Sequence, residues 1–158
     1  MKNSLILIFF AAFLSLGLTS CGDTATTTDT PGETTIAKDI DAATFKQMMA
    51  DGKLTAIDIR KPEERFEGNV FKDVNKSYGF IAGTPLNIDW KAKSFNSEIE
   101  KLDKSKPYGV YCRSGNRSGK AMNAMRKMGF KEVYNLENGL KGWLKAGLET
   151  EVVPKPAE

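Results

Sequence analysis

From Leu54 onward, short apolar runs alternate with stretches whose apolar residues recur at helical spacing, and this alternation constrains the fold more than any other feature of the chain. Leu54 to Ile59, Leu86 to Ile88, Tyr108 to Tyr111 and Val133 to Leu136 read as strands. Between them lie helical segments. Pro62 to Phe66 is a short helix opened by its proline, and Ser97 with Glu100 forms a capping box for a helix that ends ahead of Pro107. Ala121, Met125 and Met128 share one helical face until Gly129, and Gly139 to Ala146 forms a last helix around Trp143. Upstream, Asp41 caps a helix running to about Ala50, with Phe45, Met48 and Met49 on one face and Gly52 beyond its end. Strands joined through helices lie parallel, and a parallel sheet is covered on both faces, so an α/β domain is expected. The stretch from Gly68 to Gly83 has no consistent period and reads as loop.

The beginning of the chain reads as an address. Lys2 precedes an apolar run from Leu5 to Leu18, shorter than the roughly 20 residues a spanning helix requires, which predicts a signal peptide over residues 1–20. The run ends in Leu18, Thr19, Ser20 and Cys21, which resembles the lipobox of bacterial lipoproteins. That resemblance implies an acylated Cys21, a partner in the lipid bilayer, and a place in the cell envelope facing an extracytoplasmic compartment. An ordinary cleaved signal with a chance cysteine is the alternative. Residues 21–35, rich in Thr, Asp and Gly, read as a tether, residues 36–153 as one folded domain, and residues 154–158 as a tail.

Composition excludes several chemistries. The 158 residues contain no histidine, so an imidazole base, a Ser-His-Asp triad and a histidine metal ligand are all ruled out. A net charge of +3, with no clustered basic stripe, argues against nucleic acid. Neither metal-type cysteine spacing nor a Walker-type phosphate loop occurs, so no metal or cofactor is expected. Of the two cysteines, lipidation would consume Cys21 and leave Cys112 without a disulfide partner. Cys112 is then either a buried, inert residue or a reactive one.

Its neighbours bear on the choice. In Tyr111 to Ala121, YCRSGNRSGKA, Cys112 follows a strand directly and precedes a helix by about five residues. Backbone N–H groups of such a loop converge on one point, which the positive end of the helix also faces. Arg113 and Arg117 flank that point, with Ser114, Gly115 and Asn116 between them. Donors and cations of this kind lower a thiol pKa from about 8.5 to about 3.5–7.5, so a thiolate forms without a base. A small apolar residue closing a core strand is the competing interpretation.

The sequence resembles the rhodanese family over roughly Ile36 to Val152. CRSGNRS is similar to the active-site loop of that family, IDIRKPEERFEGNV (Ile57 to Val70) to its Asp-Val-Arg motif, and GFKEVYNLENGLKGWLKAGLE (Gly129 to Glu149) to its C-terminal signature. The resemblance implies a rhodanese-like fold, a five-stranded parallel sheet flanked by helices on both faces, with Cys112 carrying sulfane sulfur as a persulfide. It further implies a small-molecule sulfur donor such as thiosulfate, a thiol or cyanide acceptor, and a loop, Arg113 to Arg117, that cradles the sulfur. Asp58, Arg60 and Glu64 correspond to a charge cluster bracing the sheet edge, and Trp143 to a core residue; no protein partner is implied. About ten extra residues, Phe71 to Phe80, depart from the family pattern and are expected as a surface loop near the site. Gly119 stands in the first turn of the helix where alanine is common, a weakening of roughly 1 kcal/mol. Two competitors remain: a phosphatase or arsenate reductase, which needs Cys-X5-Arg where Cys112 to Arg117 is Cys-X4-Arg, and a non-catalytic binding or sulfide-sensing module.

Overall fold

The computed structural model describes residues 35–66, 70–71 and 76–157. The expected signal peptide, Cys21, and the tether as far as residue 34 lie outside the described residues, as do Gly68 and Asn69. In chain order the elements are β1 (Ile36–Ile40), α1 (Ala42–Ala50), β2 (Thr55–Asp58), a 3-10 helix (Pro62–Arg65), β3 (Val70–Phe71), β4 (Lys76–Ser77), β5 (Leu86–Asn87), α2 (Phe95–Ile99), β6 (Tyr108–Tyr111), α3 (Asn116–Lys127), β7 (Glu132–Leu136) and α4 (Gly139–Lys145). β3 and β4 form a separate antiparallel pair. The other five strands make one parallel sheet in the order β1-β7-β6-β2-β5, with β6 in the middle.

Period-two alternation builds two cores from one sheet. Ile57, Val110 and Val133 face the side covered by α2 and α3, where they meet Phe95, Ile99, Ala121 and Met125. Ala56, Tyr111 and Leu136 face the side of α1 and α4, against Phe45, Leu140 and Trp143. The Phe45 ring meets Tyr111 and Trp143 edge-on, each with centroids 6.4 Å apart. A Cβ at Gly109 would lie 2.6 Å from that ring, so glycine in β6 is what lets α1 approach the sheet so closely.

Most elements fall where the pattern put them. Asp41 caps α1, its Oδ1 accepting from the Thr44 N–H at 2.8 Å, and Gly52 follows the helix with φ of 67°. The capping box at Ser97 and Glu100 does not form. α2 starts three residues earlier, with Ser94 as N-cap and Phe95 as first residue, and the Ser97 hydroxyl donates back to the Ser94 carbonyl. Phe95 and Ile99, four apart, are the buried pair that sets its register.

The segment Phe71 to Phe80 is not wholly a surface loop. Tyr78 is fully buried in the core under α1 and α4, and Gly79 is buried beside it. Phe80 exchanges both backbone hydrogen bonds with Glu151, and the Val153 N–H donates to the Arg65 carbonyl. The chain around residues 151–153 thus straps the 3-10 helix to the end of this segment.

Candidate active site

In an open parallel sheet the crevice for chemistry lies beyond the carboxyl ends of the strands. Cys112 stands there, at the end of the middle strand β6. Gly115, with φ of 87°, turns the chain directly into α3, so Asn116 and Arg117 already belong to the helix rather than to a loop before it. The start of α4 forms the back wall. The amides of Leu140 and Lys141 donate to the carbonyls of Cys112 and Arg113 at 2.9 and 3.0 Å. Asn138 and Gly139 both have positive φ there, and a Cβ at Gly139 would run into the Cys112 carbonyl oxygen. This close fit is the physical content of the glycines in the C-terminal motif.

The sulfur sits among donors. The Ser118 hydroxyl lies 3.4 Å from Cys112 Sγ, and the amides of Ser118, Ser114 and Arg117 also converge on it. Burial is the largest single influence on the thiol and opposes its ionisation; these four donors together outweigh it and bring the pKa below the ordinary thiol value. Cys112 is only 1% exposed, so the donors act where little water competes. The Arg117 guanidinium faces the same sulfur while binding Glu64 through two bonds of 2.8 and 2.9 Å. Arg113 and Ser114 are half-buried, and Asn116 is exposed.

The charge cluster expected at the sheet edge is divided. Asp58 and Arg60 are fully buried at the carboxyl end of β2, which lies inside the sheet between β6 and β5. Arg60 binds both Asp58 oxygens, at 2.9 and 2.6 Å, and the Gly79 carbonyl at 2.5 Å. Glu64 offers Arg60 only its backbone carbonyl and turns its carboxylate to Arg117, across 53 residues of sequence. Burial raises the Glu64 pKa, but the Arg117 bonds and charge outweigh it and hold the carboxyl below its ordinary value. A cleft of about 620 Å³ beside Met49, Ile81, Trp143 and Leu148 opens on the α1 and α4 side and takes in none of the loop around Cys112.

Residues 41–146 match the family model of the rhodanese-like domain. The chain belongs to the rhodanese-like family. YtwF of Bacillus subtilis, named as a proposed sulfurtransferase, is similar at 34% identity over 119 residues, 75% of this chain and 96% of that protein. The tRNA uridine(34) hydroxylase of Pelagibacter ubique is 30% identical over 67% of this chain, but the match spans only 32% of that protein. A rhodanese-related protein of Thermoplasma volcanium shares the fold, with a TM-score of 0.57 and 25% identity over 71% of this chain and 95% of its own.

Sequence reasoning missed two features of this rhodanese-like site. Ser118 was passed over as a site residue, although a hydroxyl at the third position of the helix was available as a donor to the sulfur. The Glu64 to Arg117 pair carries no local signal, because its partners meet only in the folded chain.

Proposed function

We propose that this rhodanese-like chain is a sulfurtransferase that carries sulfane sulfur as a persulfide on Cys112. The observation that carries the proposal is the convergence of the Ser118 hydroxyl and the Ser114, Arg117 and Ser118 amides on a buried sulfur at the end of the middle strand. Such a cradle stabilises a thiolate before reaction and an anionic persulfide after it, without a base. With thiosulfate as donor, the Cys112 thiolate attacks the outer sulfur, the S–S bond breaks, and sulfite leaves with the electron pair. A thiolate or cyanide acceptor then attacks the terminal sulfur, and Cys112 departs as thiolate. Arg113 and Arg117 favour an anionic donor at the loop. The ring from Cys112 to Arg117 holds four intervening residues, one fewer than oxyanion-cleaving loops need, which supports sulfur over phosphate.

Leu18, Thr19, Ser20 and Cys21 after the apolar run support a further part of the same proposal. Acylated Cys21 holds the mature chain at a membrane of the cell envelope, facing an extracytoplasmic compartment. The N-terminal mass of the chain recovered from membranes tests this; an unmodified, fully soluble product refutes it.

The reaction is tested by mass spectrometry after incubation with thiosulfate. A gain of one sulfur on Cys112, absent in Cys112→Ser and discharged by cyanide, is the expected result. Hydrolysis of an aryl phosphate without sulfur gain would install the phosphatase in its place, and neither reaction would leave the non-catalytic module.

A further inference from the structure

We propose that Glu64 is the specificity-determining residue of the Cys112 site, its charge setting how strongly the site prefers a dianionic sulfur donor to a monoanionic one. This specificity rests on the sulfurtransferase reading above for its reaction; the charge behind it does not.

Arg117 faces Cys112 Sγ from the first turn of α3, and its guanidinium is already bound end-on. Nη1 donates to Glu64 Oε2 at 2.8 Å and Nη2 to Oε1 at 2.9 Å, the paired geometry in which a carboxylate best meets arginine. A guanidinium has five N–H donors, and Glu64 takes one from each terminal nitrogen, so donors remain for a bound substrate. Glu64 therefore leaves Arg117 able to donate hydrogen bonds but offsets its charge. Both side chains keep some exposure, 25% for Arg117 and 16% for Glu64, so an incoming anion meets the pair rather than the cation alone.

The carboxylate is in place before any substrate arrives. The Lys61 N–H donates to Glu64 Oε2 at 3.1 Å, Arg60 Nη1 donates to the Glu64 carbonyl at 3.1 Å, and the Val153 N–H holds the next carbonyl, that of Arg65. Asp58, by contrast, is closed into its own fully buried pair with Arg60.

Thiosulfate is a dianion, whereas an alkyl thiosulfonate or alkyl persulfide is a monoanion. The extra charge is attracted by Arg117 and repelled by Glu64. With the pair intact these effects largely cancel, and the monoanionic donors are the class the site admits alongside thiosulfate. The step is the same for each donor. The Cys112 thiolate attacks the outer sulfur, the S–S bond breaks, and sulfite, sulfinate or thiolate leaves with the electron pair.

The test compares wild type with Glu64→Gln, which keeps an oxygen for the Lys61 N–H but removes the charge. Two pairs of probes each differ by one negative charge: iodoacetate against iodoacetamide as alkylating agents of Cys112, and thiosulfate against methanethiosulfonate as sulfur donors to it. A ratio of rates within each pair cancels any change in the thiolate fraction, since both members react with the same thiolate. Arg113 is present throughout and drops out of the comparison. In Glu64→Gln both ratios are expected to rise about five-fold toward the more anionic probe, and the rise to fade at about 0.5 M salt. Arg117→Gln, which removes the cation and keeps the carboxylate, is expected to lower both. Ratios that stay level or fall in Glu64→Gln overturn the proposal, because a carboxylate that only held Arg117 in place would weaken use of the more anionic probe when lost. A raised alkylation ratio with no sulfur gained from either donor refutes the sulfurtransferase reading and leaves Glu64 in control of the charge at the thiol.

Discussion

Ser118→Ala removes one hydroxyl and leaves every backbone amide of the cradle in place. The Ser118 hydroxyl is the foremost of the donors that offset burial of the Cys112 thiol, so its loss moves the thiol pKa upward. A hydrogen bond to a charged group is worth about 1.5 to 3 kcal/mol, and at 3.4 Å to a diffuse sulfur the lower figure applies. About 1.5 kcal/mol corresponds to a tenfold smaller thiolate fraction at any pH below both titrations. The Gly115 carbonyl, which the hydroxyl also reaches, keeps the Gly119 amide at 2.8 Å, so the turn itself survives. Alkylation of Cys112 by iodoacetamide across pH is the assay. Its midpoint should move to the alkaline side and its rate at neutral pH fall about tenfold, while the alkaline plateau stays unchanged. Ser118→Thr should restore the profile. An unchanged midpoint in Ser118→Ala would show that the amides suffice and that the hydroxyl plays no part.

Glu64→Gln should cost about 1 to 2 kcal/mol at neutral pH, between the values for exposed and buried pairs, since both partners are partly exposed. Because the folded state depresses the Glu64 pKa, this stability is present above the ordinary glutamate value and is lost as pH falls through the lower folded one. Urea titrations of both proteins should therefore converge in acid and separate near neutrality; a gap independent of pH would refute the ionic origin. Gly119→Ala should raise stability by about 0.5 to 1 kcal/mol, because a Cβ there meets Asn135 Nδ2 at an ordinary 3.5 Å; a lower melting temperature would contradict this. Gly139→Ala should cost several kcal/mol and slow Cys112 alkylation, since its Cβ would displace the Cys112 carbonyl; wild-type behaviour would show the wall to be soft.

The parts of the molecule legible in sequence are those whose signal is local. The middle strand with its cysteine, the helix after it and the cap at Asp41 all declare themselves in a few neighbouring residues. β1 does not, because as an edge strand it buries only Ile40 and so lacks an apolar run. Ser97 and Glu100 mimic a helix start, but the buried pair Phe95 and Ile99 sets the register three residues earlier. The burial of Tyr78 depends on distant partners, since its segment is fastened by Arg60 at Gly79 and by Glu151 at Phe80. Within the site, Arg117 was visible as a cation, but its tie to Glu64 was not.

The strap at Glu151 to Val153 has a consequence for the order in which the site is completed. A chain made from its amino end exposes Asp58, Arg60 and Gly79 early, whereas Glu151 arrives 71 residues after Phe80. Until then the segment that carries the Gly79 carbonyl is held by buried Tyr78, by Arg60 and by the Ile81 amide on the Tyr111 hydroxyl, without its pairing to Glu151. A nascent or truncated chain lacking residues 151–153 would hold Cys112 and its loop in sequence yet leave the Phe80 amide and the Phe80 and Arg65 carbonyls without these backbone partners. The backbone pairing that closes this side of the domain is therefore among the last to form, after the strand and loop that carry Cys112 have been made.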